Sequence, residues 1–256
     1  MTKTIKAIPF YFSLFILLMS WVSVSINAEE KKLEKNISIT WVFVPKAGQS
    51  ADFEKAFKKH GAYRKSMNDP RTWNVYQADM GSKMNAYIVR SCCESWSDLD
   101  DYRQWNTKSK MTENWRQNVG KYVAHFERHR SEADFKNSNW PADLKYKYVG
   151  VNTYKLKLGH YEALEKDKKT FSDAAKKENW PYNWFWYVNV NGQSEMKLAI
   201  PYMNYGDMAP PEIKFSEMLA KHLGSEKKAK DALKRWSSHF ESIFYNVYVL
   251  REDLSR

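Results

Sequence analysis

Apolar and polar residues alternate along 37–45 (ISITWVFVP), and a two-residue period returns at 72–79, 84–91, 145–157, 183–190, 195–202 and 244–251. Alternation sends successive side chains to opposite faces, so each stretch predicts a strand. Between them the period lengthens. Phe53, Ala56, Phe57, His60 and Tyr63 recur at helical spacing in 48–65, with Ser50 or Asp52 as the cap, and 161–177 reads as a second helix. Trp115, Val119, Tyr122, Val123 and Phe126 predict a helix over 112–129, and 212–223 and 225–242 predict two more. The stretch 95–110 reads as a polar connection carrying Trp96 and Trp105, and 131–135 as a weak edge strand. Turn signals fall at Asn68-Asp69-Pro70, Gly81-Ser82 and Asn191-Gly192.

One skeleton occurs twice. Asn68, Pro70, Trp73 and Tyr76 are echoed 111 residues later by Asn179, Pro181, Trp184 and Tyr187, in the pattern N-x-P-x-x-W-x-x-Y. Lys46/Lys157, Gly48/Gly159, Glu54/Glu165 and Gly81/Gly192 match at the same offset, and His125-Phe126-Glu127 is echoed by His239-Phe240-Glu241 at an offset of 114. Self-similarity at one period predicts a unit built twice: 37–136 and 145–256, joined by a linker at 137–144. Each unit reads β-α-β-β-α-β, the ferredoxin-like order. A sheet of that kind carries its helices on one face and leaves the other bare, so the two units are expected to bury their bare faces together. The fold class expected is α+β.

This duplicated order resembles the dimeric α+β barrel superfamily, here as a tandem pair within one chain, over about residues 37–252. The resemblance rests on element order rather than on a family motif. It implies an intramolecular barrel similar to the antibiotic-biosynthesis-type monooxygenases and the chlorite-dismutase-like haem proteins. It also implies haem as a candidate cofactor, with His125 or His239 late in a second helix as axial ligand or general base. The cofactorless oxygenases of the superfamily combine an Asn on the first strand, a Trp after the third and a His on the second helix. Here Asn152 and His239 lack the Trp, while Trp96 or Trp105 and His125 stand with Trp41 in place of the Asn.

Alternation in the second unit sends Trp184, Trp186 and Val188 to one face and Phe185, Tyr187 and Asn189 to the other; in the first, Trp73 and Val75 oppose Asn74 and Tyr76. Trp73, Tyr76, Asn152, Trp184, Phe185, Trp186 and Tyr187 are therefore the candidate ligand-binding residues of an aromatic-lined pocket for a small aromatic or apolar molecule. Ordinary core filling is the alternative. A carbohydrate-binding or structural module would instead expose Trp140, Trp180 or Trp184 for stacking.

The net charge of +11 favours anionic partners or describes a solvated basic surface. Lys3 and Lys6, the apolar run 10–24 and the small residue at Ala28 have the layout of a signal peptide over 1–28, ahead of a mobile lead-in at 29–36. An uncleaved anchor is the alternative. Export to the periplasm or beyond sets nucleic acid aside as a partner and limits membrane contact to that segment. A homodimer is compatible with the fold. The adjacent Cys92 and Cys93 do not make a disulfide framework; a vicinal disulfide and a pair of small strand residues are both open. No histidines show metal-ligand spacing, so no metal site is expected.

Overall fold

The computed structural model describes residues 34–256. The signal segment and most of the lead-in lie outside the described residues. The first half runs β1 (Ile37–Pro45), α1 (Ser50–Ser66), β2 (Asn74–Met80), β3 (Tyr87–Glu94), α2 (Trp96–Lys108), α3 (Met111–Asn118) and β4 (Val123–Asn139). The second runs β5 (Tyr148–Leu156), α4 (Tyr161–Lys177), β6 (Trp184–Asn189), β7 (Glu195–Tyr202), α5 (Phe215–Leu223), α6 (Glu226–Ser238) and β8 (Phe240–Leu250). None of these helices is long and apolar enough to cross a membrane.

The strands form one closed antiparallel barrel in the order β1-β3-β2-β8-β5-β7-β6-β4. Each half contributes a ferredoxin-like array, β4-β1-β3-β2 or β8-β5-β7-β6. The pairings β2–β8 and β4–β6 join the arrays edge to edge. Closure leaves no free strand edge. It also gives every strand an inner and an outer face. Ala133, Val149, Val151, Phe185 and Ala199 pack inside, with Tyr76, Tyr187 and Tyr248. Outside, α1 and its neighbours cover Ile39, Phe43, Trp73, Val75 and Val89. In the second half, Tyr154, Trp184, Trp186 and Met196 pack with Leu164, Phe171, Ala232 and other helix residues. The face assignments expected from alternation at 73–76 and 184–189 are those observed.

The echoed Asn residues have a backbone reason. Asn68 and Asn179 take φ of 51° and 54°, left-handed values just past the ends of α1 and α4. Asn tolerates that conformation better than other side-chain-bearing residues, and it stops the helix there.

Several expectations need correction. The helix expected over 112–129 ends at Asn118, and a short 3-10 turn at Gly120–Tyr122 leads into β4. From 123 onward a two-residue period overrides the helical one, because β4 pairs with β1 from Ile37↔Glu132 to Phe43↔Phe126. His125 is thus on a strand. The stretch 131–135 is not an edge but the middle of this strand, paired with β6. The helix expected to reach 242 ends at Ser238, with His239 as its C-cap and β8 starting at Phe240. The two echoed histidines are also not equivalent. Val44 pairs with His125, whereas its counterpart Lys155 pairs with Ser242. Finally, 96–108 is a helix, and Gln49 rather than Ser50 or Asp52 precedes α1, without a side-chain cap. Ser95 caps α2 through a reciprocal box: Asp98 N donates to Ser95 Oγ at 3.2 Å and Ser95 N to Asp98 Oδ2 at 2.8 Å.

Candidate ligand site

Two large cavities lie between the outer face of the barrel and its helices, one in each half. The second-half cavity measures about 390 Å³, within the usual range for small-molecule sites. β6 supplies Trp184 and Trp186, α4 supplies Phe171, Ser172 and Ala175, and α6 supplies Leu233 and Trp236. Trp180 and Tyr182 stand at the strand's approach, and Met208 to Pro211 complete the wall. Tyr182 Oη donates to the carbonyl of Ala209 at 2.6 Å, which ties that segment down. Trp236 is the hub of the aromatic wall, with ring centroids 5.2 Å from Phe171 and 5.8 Å from both Trp186 and Tyr154.

Two polar atoms in this wall are buried without a partner: Trp186 Nε1 and Ser172 Oγ. Trp184 does not share that condition, since its Nε1 donates to the carbonyl of Asn137 at 2.7 Å. A buried polar group left unpaired costs ~1–3 kcal/mol, which a ligand atom accepting from it would recover. The cavity is therefore a largely apolar slot whose wall holds two buried, unpaired polar groups.

The predicted residues fall into separate places. Trp184 and Trp186 line this cavity, as does Trp180. Trp73 lines the first-half cavity and donates Nε1 to Asp69 Oδ2 at 3.1 Å. Tyr76, Phe185 and Tyr187 face the barrel interior. There Tyr76 and Tyr146 share a hydroxyl hydrogen bond of 2.8 Å, and the Arg90 guanidinium lies 4.7 Å from the Tyr187 ring centroid. Asn152, on the same face of β5 as Tyr154, lines neither cavity. His125 is 62% exposed and bonds Glu127 at 3.2 Å. His239 is 2% exposed; its Nε2–H donates to Asp167 Oδ2 at 3.0 Å and its Nδ1 meets His160 Nδ1 at 3.1 Å. Of the tryptophans a sugar platform would expose, Trp184 is buried and Trp140 and Trp180 are half-buried.

Phe171, Ser172 and Trp236 were not among the predicted site residues. Trp236 stands at helical spacing from Leu233 in the sequence, but nothing there marks Ser172 as facing the same space. His60 was read only as part of an apolar helix face. It is the one histidine lining either cavity, standing where the second half has Phe171. It is 4% exposed, and its Nδ1 lies 2.8 Å from Asn114 Oδ1, so that nitrogen carries the proton and donates. Burial lowers its pKa from 6.5 to about 4, against the Asn114 hydrogen bond and with help from the charge of Arg64. A depressed histidine favours the folded state above its unfolded pKa and loses that contribution as pH falls toward the folded one. Stability is accordingly expected to drop between about pH 6.5 and about pH 4, by on the order of 3 kcal/mol from this group. Urea denaturation of wild type and His60→Gln across that window checks it. Parallel pH profiles would show that His60 is not the titrating group.

Neither a family model nor a curated protein matches this sequence. The closed antiparallel barrel with external helices is the dimeric α+β barrel fold, and solved structures share it. A chlorite dismutase variant from Candidatus Nitrospira defluvii aligns with a TM-score of 0.55 at 10% identity, over 89% of this chain and 98% of its own. An anthrone oxidase-like protein aligns at 0.52 and 9%, over 87% and 93%. A provisionally named monooxygenase from Lactobacillus acidophilus aligns at 0.53 and 8%, over 85% and 94%.

Proposed function

We propose that this protein is a ligand-binding α+β barrel made of two fused ferredoxin-like units. It takes a flat, largely apolar aromatic molecule with one hydrogen-bond-accepting group into the cavity beneath α4 and α6. The observation that carries this reading is the pairing of a largely aromatic and apolar wall with the unpartnered Trp186 Nε1 and Ser172 Oγ. The rings supply area for burial and stacking. The two polar atoms give orientation, because a hydrocarbon would leave them unpaired while a carbonyl would not.

Titration calorimetry with 2-acetylnaphthalene and 2-ethylnaphthalene tests this, since the two differ chiefly in a carbonyl. The ketone is expected to bind with a Kd on the order of 10 μM and roughly tenfold more tightly than the hydrocarbon. Trp186→Phe keeps the slot and removes the donor, so it is expected to abolish the preference. An undiminished preference in that variant, or no binding of either compound, would count against the reading.

The solved neighbours that are named as a monooxygenase, as anthrone oxidase-like and as chlorite dismutase raise an oxygenase as the second reading. Haem does not fit at the histidines the resemblance singled out. Both nitrogens of His239 are engaged inside the protein, and neither His239 nor His125 lines either large cavity. For a cofactorless oxygenase, Asn152 and His239 both lie off the aromatic cavity. Binding is thus the function the geometry supports.

A further inference from the structure

The first-half cavity differs in kind from the aromatic one. It measures about 1240 Å³, and its floor includes Trp41, Trp73 and Trp115. Its lining carries seven arginines against one carboxylate, Asp100. Three of the arginines are ion-paired: Arg64 and Arg256 share the single charge of Asp69, and Arg71 pairs with Glu94 at 2.5 Å. The other four, Arg103, Arg116, Arg128 and Arg130, form no ion pair among the described residues. Arg128 lies over the Trp41 ring at 5.1 Å from its centroid. The Arg130 Nε is buried without a hydrogen-bond partner. Burial, and then the charges of Arg128 and Arg71, lower the Arg130 pKa, against weaker support from Glu94 and Asp100.

The fold does not require this charge. Arg64 and Arg71 correspond to Ala175 and Tyr182 at the common offset. By strand register, Arg128 corresponds to Tyr245 and Arg130 to Val247. Like charges gathered around a half-enclosed space repel one another and are costly to desolvate, unless an anion joins them. Guanidinium groups suit carboxylates because they donate two parallel hydrogen bonds, and rings beneath them suit a flat body.

We propose that this cavity is a second binding site, taking a flat aromatic ligand that bears two anionic groups. Arg128 and Arg130 would pair with one of these groups and the exposed Arg103 and Arg116 at the rim with the other, while the tryptophan floor receives the rings. The site is independent of the aromatic cavity in the other half.

Calorimetry on the full chain with 2,6-naphthalenedicarboxylate tests it, with sulfate and 2-acetylnaphthalene as competitors. The dicarboxylate is expected to bind, to weaken as salt rises, and to lose roughly tenfold in affinity in Arg128→Gln and again in Arg130→Gln. Neither saturating 2-acetylnaphthalene nor equimolar sulfate is expected to displace it. Arg103→Gln and Arg116→Gln, at exposed positions, guard against misfolding and are expected to weaken binding as well. Unchanged affinity in all four variants would overturn the proposal. So would full displacement by sulfate, which would mark a simple anion patch, or by 2-acetylnaphthalene, which would mark a shared aromatic site.

Discussion

Asp69→Ala is expected to cost the fold ~3–5 kcal/mol, because one buried carboxylate there serves four partners. The Asp69 side chain is fully buried and contacts the guanidinium groups of Arg64 and Arg256, the latter at 2.9 Å. It also accepts from Trp73 Nε1 at 3.1 Å and from the Arg71 backbone N–H at 3.0 Å. Alanine would leave two arginines, mostly shielded from water, without a counter-charge. Two further bonds tie the same region: Trp73 and Arg256 exchange backbone hydrogen bonds of 2.7 Å each way, and Leu254 is buried beside them. The stretch 251–256 thus seals the first-half cavity from the end of the second half. Hydrogen exchange is expected to quicken at Trp73 and Arg256 in the variant, along with a lower urea midpoint. An unfolding free energy within about 1 kcal/mol of wild type would show that water replaces the carboxylate at little cost.

Asp167→Ala is expected to cost roughly 2–4 kcal/mol, and it bears on what His239 does. Asp167 is 3% exposed, accepts from Arg235 Nε at 2.9 Å and Nη2 at 2.5 Å, and receives the His239 Nε2–H. Arg235 is half exposed and can turn to water, so the larger share of the loss falls on His239, left buried with a donor unpaired. The network ties α4 to the end of α6 at the point where β8 begins. It explains a buried histidine without chemistry. If Asp167→Ala leaves stability unchanged while abolishing a measurable turnover, the structural role would be wrong.

Much of the architecture was legible. Strand alternation at 37–45 and 195–202 and the apolar spacing at 161–177 identified those elements within a residue or so, since a half-buried surface forces its period onto the sequence. The faces of Trp184, Trp186, Phe185 and Tyr187 followed from the same rule. Two things were not legible. At 123–129, the three-residue spacing of Val123 and Phe126 fits a helix rather than a two-residue strand period, and only the pairing with β1 overrides it. The arginine cavity was hidden for a different reason. Arg64, Arg103, Arg116 and Arg130 sit on α1, α2, α3 and β4, with no common spacing. They become one surface only when the helices close over the sheet. Ser172 and His60 share that difficulty: each is a polar residue on a mostly apolar helix face, and only tertiary packing shows which space it meets.

The ligand site under α4 and α6 depends on one atom more than on any other, the Trp186 Nε1–H. Nitrogen–proton correlation spectra of the indole groups, recorded while 2-acetylnaphthalene is added, report on it directly. The Trp186 signal, assigned by its loss in Trp186→Phe, is expected to move downfield and saturate with the calorimetric Kd, as a bare donor gains an acceptor. A Trp186 signal that stays in place at saturating ligand would contradict the account.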